Sequence, residues 1–293
     1  MTPFTLQWKI RLEEENQLVR DFLKTQSISK RALTDIKFEG GAILVNNQPI
    51  TVRYLLKKDD VLTVVFPTEK TDIKPEKINI DIVYEDDFLL VLNKEPFMPS
   101  IPSREHPSGS LANALAYYYQ TIGLESTVHL VNRLDRDTSG LLAVAKHRYV
   151  HHLLGRQQLE NKINRRYEAI VEGEFTKKEG VINAPIGRKD TSIIEREVRT
   201  DGKRAVTNFN VINSFFDLTH LSLQLETGRT HQIRVHLSHI GHPLVGDDLY
   251  GGSKQLINRQ ALHCCELTLW HPVAQQRMVF HSDLPDDMQR LLL

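Results

Sequence analysis

Cysteine is nearly absent from this 293-residue chain: Cys264 and Cys265 are the only two. Adjacent cysteines make a poor disulfide and no metal framework, so the sequence reads as one for a reducing, cytoplasmic compartment. Long apolar runs are absent as well. No stretch approaches the ~20 residues of a membrane-spanning helix. The start, MTPFTLQWKI, lacks a basic segment leading into an apolar block and a cleavage site, so no signal peptide is expected. Net charge is missing too, with 37 Lys and Arg against 37 Asp and Glu. A uniformly basic nucleic-acid coat is thereby excluded, but a local basic face is not. Residues 27–58 hold Lys30, Arg31, Lys37, Arg53, Lys57 and Lys58 against Asp35 and Glu39, and acids gather at 13–15, 59–60 and 86–87. Internal repeats and low-complexity tracts are not found.

What is present suits a soluble globular protein: 40% apolar and 25% charged residues. The length allows one large domain and a small one. In the first part, QLVRDFLKTQ and SISKRALTDIKFEGG space their apolar residues as helices do, with Ser29 as a cap and Gly40-Gly41 as a stop. AILVNNQPIT reads as two strands about an Asn-Asn turn, and DVLTVVF as another. We expect a small α/β module over 1–67, a polar, aperiodic linker over 68–77, and a larger domain over 78–293. In the latter, strands at INIDIVYEDDFLLVLNK, GLLAVAK, RRYEAIVEG, AVTNFNVI, LTHLSLQLETG, ALHCCELTLW and RMVFHS alternate with helices at GSLANALAYYYQTI, YVHHLLGRQQLEN and THQIRVHLSHIG. The pattern predicts an α+β fold with a mixed, mainly antiparallel sheet and flanking helices. Ile233, Leu237 and Ile240 are expected on the core face of the last helix.

Within VNRLDRDTSG, residues 131–140, two arginines and two aspartates crowd beside an apolar strand. A solvated turn with local salt bridges is one reading. The other is a nucleophilic carboxylate, which must stay ionised and so needs an arginine. Arg133 and Arg136 are candidates by proximity, and TGRTHQIRVHL supplies Arg229 and Arg234, whose spacing gives them different jobs. His231, His236, His239 and His242 invite a metal reading, but no HExxH motif or acidic ligand at zinc-type spacing accompanies them. Helix caps and backbone bonds suit them better. GDD at 246–248 reads as a turn before LYGG, and YYY at 117–119 as a mixture of helix surface and core.

Taken in order, NRLDRDTSGLLAVAK, RRYEAIVEG, GKRAVTNF and LETGRTHQIRVHLSHIGHPLVGDDLYGG resemble the RluA/RluD class of pseudouridine synthases, from about residue 78 onward. Residues 17–66 resemble the S-four-type RNA-binding module that often precedes such enzymes. The resemblance implies that Asp135 is the nucleophile converting uridine in RNA to its carbon-linked isomer. Tyr167 would pack against the base and serve the proton chemistry, and Arg234 would pair with Asp135. Arg229 would orient its loop or meet a phosphate. Arg133 or Arg136 could fill the space left by a flipped base, and Lys30, Arg31 and Lys37 would bind RNA phosphates. No metal or organic cofactor is implied. The implied partner is structured RNA, ribosomal RNA favoured over transfer RNA, and a monomer is expected, with no membrane. A non-catalytic RNA-binding or ribosome-assembly factor is the rival reading, which loss of Asp135 or Tyr167 would have favoured. Two positions depart from the family: Asn132 replaces a common histidine, and the loop NKEPFMPSIPSREHP (93–107) lacks the usual glycine.

Overall fold

In the N-terminal part, residues that recur at helical spacing bury one face of each of two short helices. The computed structural model describes residues 3–103 and 106–293. Val19, Phe22 and Leu23 form the buried face of α1 (Val19–Thr25). Ser29 caps α2 (Lys30–Phe38), its hydroxyl accepting the Ala32 N–H at 3.1 Å and so satisfying one of the donors a helix start leaves open. Asn46 and Asn47, both at positive φ, turn β2 (Ala42–Val45) into β3 (Gln48–Pro49). β2 pairs with β4 (Val61–Val65), whose other edge takes β1 (Thr5–Lys9). The sequence gives no clear sign of β1, because its alternation buries none of its residues fully. The two helices close over this sheet around Phe22, Leu23, Ile36, Leu56, Leu62 and Val64.

Residues 67–77 carry no regular element, yet they are tied down. Glu69 bonds His129 at 2.6 Å and the Arg148 N–H at 2.8 Å, and the Asn113 amide donates to the Lys74 carbonyl. The small module also meets α4 (Arg148–Leu159) directly. Tyr149 donates to the Gln26 carbonyl, Arg156 to Ser27, and Arg148 pairs with Asp35 of α2.

The large sheet has the order β10-β13-β14-β9-β15-β8-β6-β5 among the described residues, with β16 beside β15 and β7 beside β8. In chain order its strands are β5 (Asp81–Glu85), β6 (Leu89–Lys94), β7 (His129–Leu130), β8 (Ser139–Ala145), β9 (Asn164–Glu172), β10 (Glu179–Asn183), β13 (Val206–Phe215), β14 (Leu218–Leu225), β15 (Leu262–Trp270) and β16 (Arg277–His281). A separate hairpin, β11 (Ile186–Arg188) and β12 (Arg196–Val198), interrupts the run. All pairings are antiparallel except a short parallel contact between β8 and β15. β6 and β8 are buried on both faces. Leu90, Leu92, Leu142 and Val144 pack under α3 (Leu111–Ile122), and Leu89, Val91, Leu141 and Ala143 meet Val150 and Leu154 of α4. That two-sided burial is why both strands read as unbroken apolar runs. α5 (Gln232–His239) is buried from Gln232 to Leu237. Ile240 is not on its core face: it ends the helix and is 38% exposed. A final short helix, α6 (Asp286–Gln289), buries Met288. Among the described residues no helix is long and apolar enough to cross a membrane.

The parallel contact explains the glycine of Thr-Ser-Gly. Gly140 sits at φ +111° opposite Cys264, and an added Cβ would lie 2.4 Å from the Cys264 carbonyl oxygen. Backbone cannot yield there as a flexible side chain could. Gly140→Ala should therefore cost at least the ~1–3 kcal/mol typical of overpacking, read as a lowered urea midpoint at unchanged slope.

Candidate active site

The loop entering β8 is fixed through its own carbonyls. The Leu134 carbonyl accepts the Ser100 hydroxyl at 2.6 Å, and the Asp135 carbonyl accepts the Thr138 N–H at 3.2 Å. The Arg136 carbonyl accepts Lys94 Nζ at 3.0 Å, and the Asp137 carbonyl accepts Arg259 Nη1 at 3.3 Å. Four consecutive acceptors thus have donors, two of them from buried cations. Lys94 also donates to the Glu95 and Met98 carbonyls, and Arg259 is anchored by two bonds to Asp287. Beyond the loop, Ser139 bonds His263 and Thr138 bonds Gln260, which join the loop to β15 and its approach. Asn132 is buried, its side-chain oxygen accepting the Ala143 N–H at 2.9 Å, so it extends the backbone ladder. Of the 93–107 loop, Arg104 and Glu105 lie outside the described residues.

With its backbone held, Asp135 presents a side chain that is 27% exposed toward α5. Arg234 Nη1 stands 3.4 Å from Asp135 Oδ2, and His231 Nε2 stands 3.9 Å from it. The expected pairing is present, but it is not the main one. Arg234 Nε and Nη2 each reach Asp247 at 2.7 Å, a bidentate bond to a carboxylate that is almost fully buried. The reason is geometric: a planar guanidinium can fork onto one carboxylate and still turn a third nitrogen to another. Burial disfavours the Arg234 charge, but Asp247 and then Asp135 outweigh this and hold it firmly protonated. Tyr250 covers the guanidinium, its ring centre 4.9 Å away.

Sheet register brings Tyr167 to the same place. On β15, Cys264 lies opposite Gly140 of β8 on one side and Tyr167 of β9 on the other. Tyr167 is 4% exposed. Burial pushes its phenol well above the usual range, and nearby Cys264 and Asp135 add to the rise. It therefore rests protonated, as a hydrogen-bond donor with an apolar ring.

The other arginines go elsewhere. Arg136 folds back on its neighbour Asp137 at 2.8 and 2.9 Å, and Arg133 points to solvent. Arg229 is exposed, donating to the Arg204 carbonyl while its N–H meets Gln232, so it belongs to the turn before α5. Lys30, Arg31 and Lys37 are all exposed on α2 but do not share one face. Arg31 lines the cleft between the module and α4, whereas Lys37 lies over the Phe38 ring. The four histidines do separate things. His236 bonds Thr207 and the Ala184 carbonyl, His242 the Glu172 carbonyl and His231 Tyr250, while His239 is exposed. Asp247, Lys94, Arg259 and Tyr250 are site residues that sequence reasoning does not single out, although Asp247 and Tyr250 stand in the GDDLYGG stretch.

Comparison with known proteins identifies the family. The RNA pseudouridylate synthase family profile matches residues 88–239. The chain is 53% identical over 276 residues to "Uncharacterized RNA pseudouridine synthase YjbO" of Bacillus subtilis, covering 94% of this chain and 98% of that protein. It belongs to the RluA/RluD class of RNA pseudouridine synthases. "Ribosomal large subunit pseudouridine synthase D" of Pasteurella multocida is 40% identical over 248 residues, covering 80% of this chain and 76% of that one. A solved structure of human RNA Pseudouridylate Synthase Domain Containing 1 matches with TM-score 0.59 and 26% identity, over 73% of this chain and 86% of that one. The enzyme is thus an isomerase, and its α+β fold with a mainly antiparallel sheet is that of its class.

Lys94 gives the site a testable pH limit. Burial pulls its ammonium down to about 7, while three carbonyl acceptors at 2.7 to 3.0 Å require all three of its hydrogens. A neutral amine has only two to give. As pH rises above about 7, one carbonyl should lose its donor and the single-turnover rate should decline. Lys94→Met should be slower at every pH and lack that alkaline limb. An identical limb in the variant would assign it to another group.

Proposed function

We propose that Asp135 is the nucleophile of a uridine isomerisation in large-subunit ribosomal RNA. The observation that carries the reading is a partly exposed carboxylate, Asp135, facing Arg234 Nη1 at 3.4 Å on a loop whose Leu134 to Asp137 carbonyls are engaged. Attack by Asp135 would release uracil from its N1 link to the ribose. The carboxylate would stay bonded to C1′ while the base turns; C5 then bonds C1′ as the Asp135–C1′ bond breaks and frees the carboxylate, after which C5 loses its proton and N1 gains one. Tyr167 would form the wall against which the base packs and would serve the proton step. Arg234 would pair with Asp135 and keep it aimed, with Asp247 fixing Arg234 in turn. The target must leave its stack to reach this site, at a cost of a few kcal/mol, and the exposed Arg133 would occupy the gap. Ribosomal RNA as substrate is supported by the name of the Pasteurella relative. The small module, with Lys30 and Lys37 facing solvent, would add phosphate contacts as a separate RNA-binding unit over 1–67.

Asp135→Asn preserves shape and removes the nucleophile. Pseudouridine formation should fall below detection while RNA affinity survives; wild-type-like turnover would remove Asp135 from the mechanism. Mapping carbon-linked uridines in ribosomal and transfer RNA of a strain lacking the gene identifies the substrate, and a missing site in transfer RNA alone would overturn the ribosomal assignment. Asp247→Asn tests the positioning role. Breaking one side of a buried ion pair costs about 3–5 kcal/mol, so melting temperature should drop. Beyond this, the rate measured with folded protein at saturating RNA should fall, whereas a purely structural Asp247 would leave that rate intact.

A further inference from the structure

We infer that the β11–β12 hairpin and the turn at 228–230 form a cradle for a backbone phosphate of the substrate RNA next to the target nucleotide. The inference rests on the reading of the chain as an enzyme acting on RNA at Asp135.

The cradle is a concavity of about 570 Å³ in which Arg188, Arg196, Arg199, Lys203 and Arg229 outnumber two acids, Asp190 and Asp201. How these charges are held matters more than their number. Arg199 consumes both acids, with Asp190 at 2.7 Å and Asp201 at 2.6 Å. Its aliphatic stem lies against Gly187, where a Cβ would meet Arg199 Cδ at 2.5 Å. The other arginines are oriented by main-chain carbonyls: Arg188 by Ile193 at 2.6 Å, Arg196 by Ile194 and Glu195 at 3.0 and 2.9 Å, and Arg229 by Arg204 at 3.0 Å. A carbonyl fixes direction without cancelling charge. Each of these bonds uses one guanidinium nitrogen, and the rest of the planar fork suits a phosphate. Arg199 and Arg136, by contrast, are matched by carboxylates.

Position points to RNA rather than to an acidic protein. The Arg196 N–H donates to the Tyr250 oxygen at 2.9 Å, Tyr250 lies 2.8 Å from His231 Nδ1, and His231 Nε2 lies 3.9 Å from Asp135 Oδ2. With its oxygen accepting from Arg196, Tyr250 gives its own proton to Nδ1. Burial lowers the His231 pKa and keeps the ring neutral, so its remaining N–H is on Nε2, facing Asp135. Three contacts therefore lead from the cradle to the reactive carboxylate. A non-glycine residue at φ +56° is strained, and His231 holds that conformation at this junction. A nucleotide bound at Asp135 would continue its backbone toward the arginines.

The test uses full-length enzyme and unmodified transcripts of large-subunit ribosomal RNA, with affinity measured across salt concentrations. Each lost phosphate contact reduces the log–log slope by about 0.7–0.9. The Arg188→Ala, Lys203→Ala double variant removes two cations from that one phosphate and should therefore flatten it by roughly 0.7–0.9 and bind more weakly. Asp190→Asn removes an acid from the cradle and should bind more tightly, an outcome no misfolded variant can give. Unchanged slope in the double variant, or no tightening with Asp190→Asn, overturns the cradle. Pseudouridine formed by the wild type on the same transcripts is scored separately. If it forms and the slopes do not respond, the cradle alone fails; if the slopes respond and none forms, the substrate assignment fails and the cradle stands.

Discussion

Arg234 is the cation on which the geometry of the site depends. A lone buried guanidinium is costly, and a single carboxylate partner would consume its fork. The structure resolves this by division: Asp247 takes Nε and Nη2 at 2.7 Å each, and Asp135 receives Nη1 at 3.4 Å. The tight pair makes the cation rigid and the loose one keeps Asp135 available. Were the order reversed, the Asp135 carboxylate would be tied up in the shortest ion pair of the site. The almost fully buried Asp247 is matched by two short bonds to the guanidinium, whereas the partly exposed Asp135 has one longer contact.

The same economy governs the loop. Its backbone is pinned by Ser100, Lys94, Arg259 and its own turn, so the Asp135 side chain is the part left to move. Groups fixed before the substrate arrives need no rearrangement during the reaction, which is where preorganised sites gain most. Of the two buried basic groups aimed at these carbonyls, Lys94 loses its charge as pH rises above about 7, so it adds to the field that favours an anionic group there only below that pH.

Much of this was legible in the sequence, and the gaps have physical causes. Long periodic stretches such as LANALAYYYQTI and LTHLSLQL declared their elements because one face of each is buried. Asp135, Tyr167 and Arg234 were visible through the motifs that carry them, and the structure brings all three to the junction of β8, β9 and α5. β1 escaped because it buries no residue fully, and β11 and β12 because three-residue strands leave no period to detect. Ile240 was placed on the core face by extending a helix one residue past its end. Asp247 escaped for a different reason. Its role lies in a partner thirteen positions away across a turn, and no local pattern distinguishes it from its exposed neighbour Asp248.

Zero net charge now has a structural reading. The chain does not spread its basic residues evenly; it decides locally whether each is neutralised. Arg136, Arg148, Arg166 and Arg199 face carboxylates and contribute little field. Arg188, Arg196 and Arg229 are held by carbonyls, and Lys30 and Lys37 face solvent. Basic side chains held by carbonyls or facing solvent are thus found on the β11–β12 side of the site and on α2. Such an arrangement attracts a polyanion to chosen surfaces without making the whole protein adhesive to nucleic acid. For an isomerase that acts on RNA, selective exposure of charge would achieve what a higher total charge would undo.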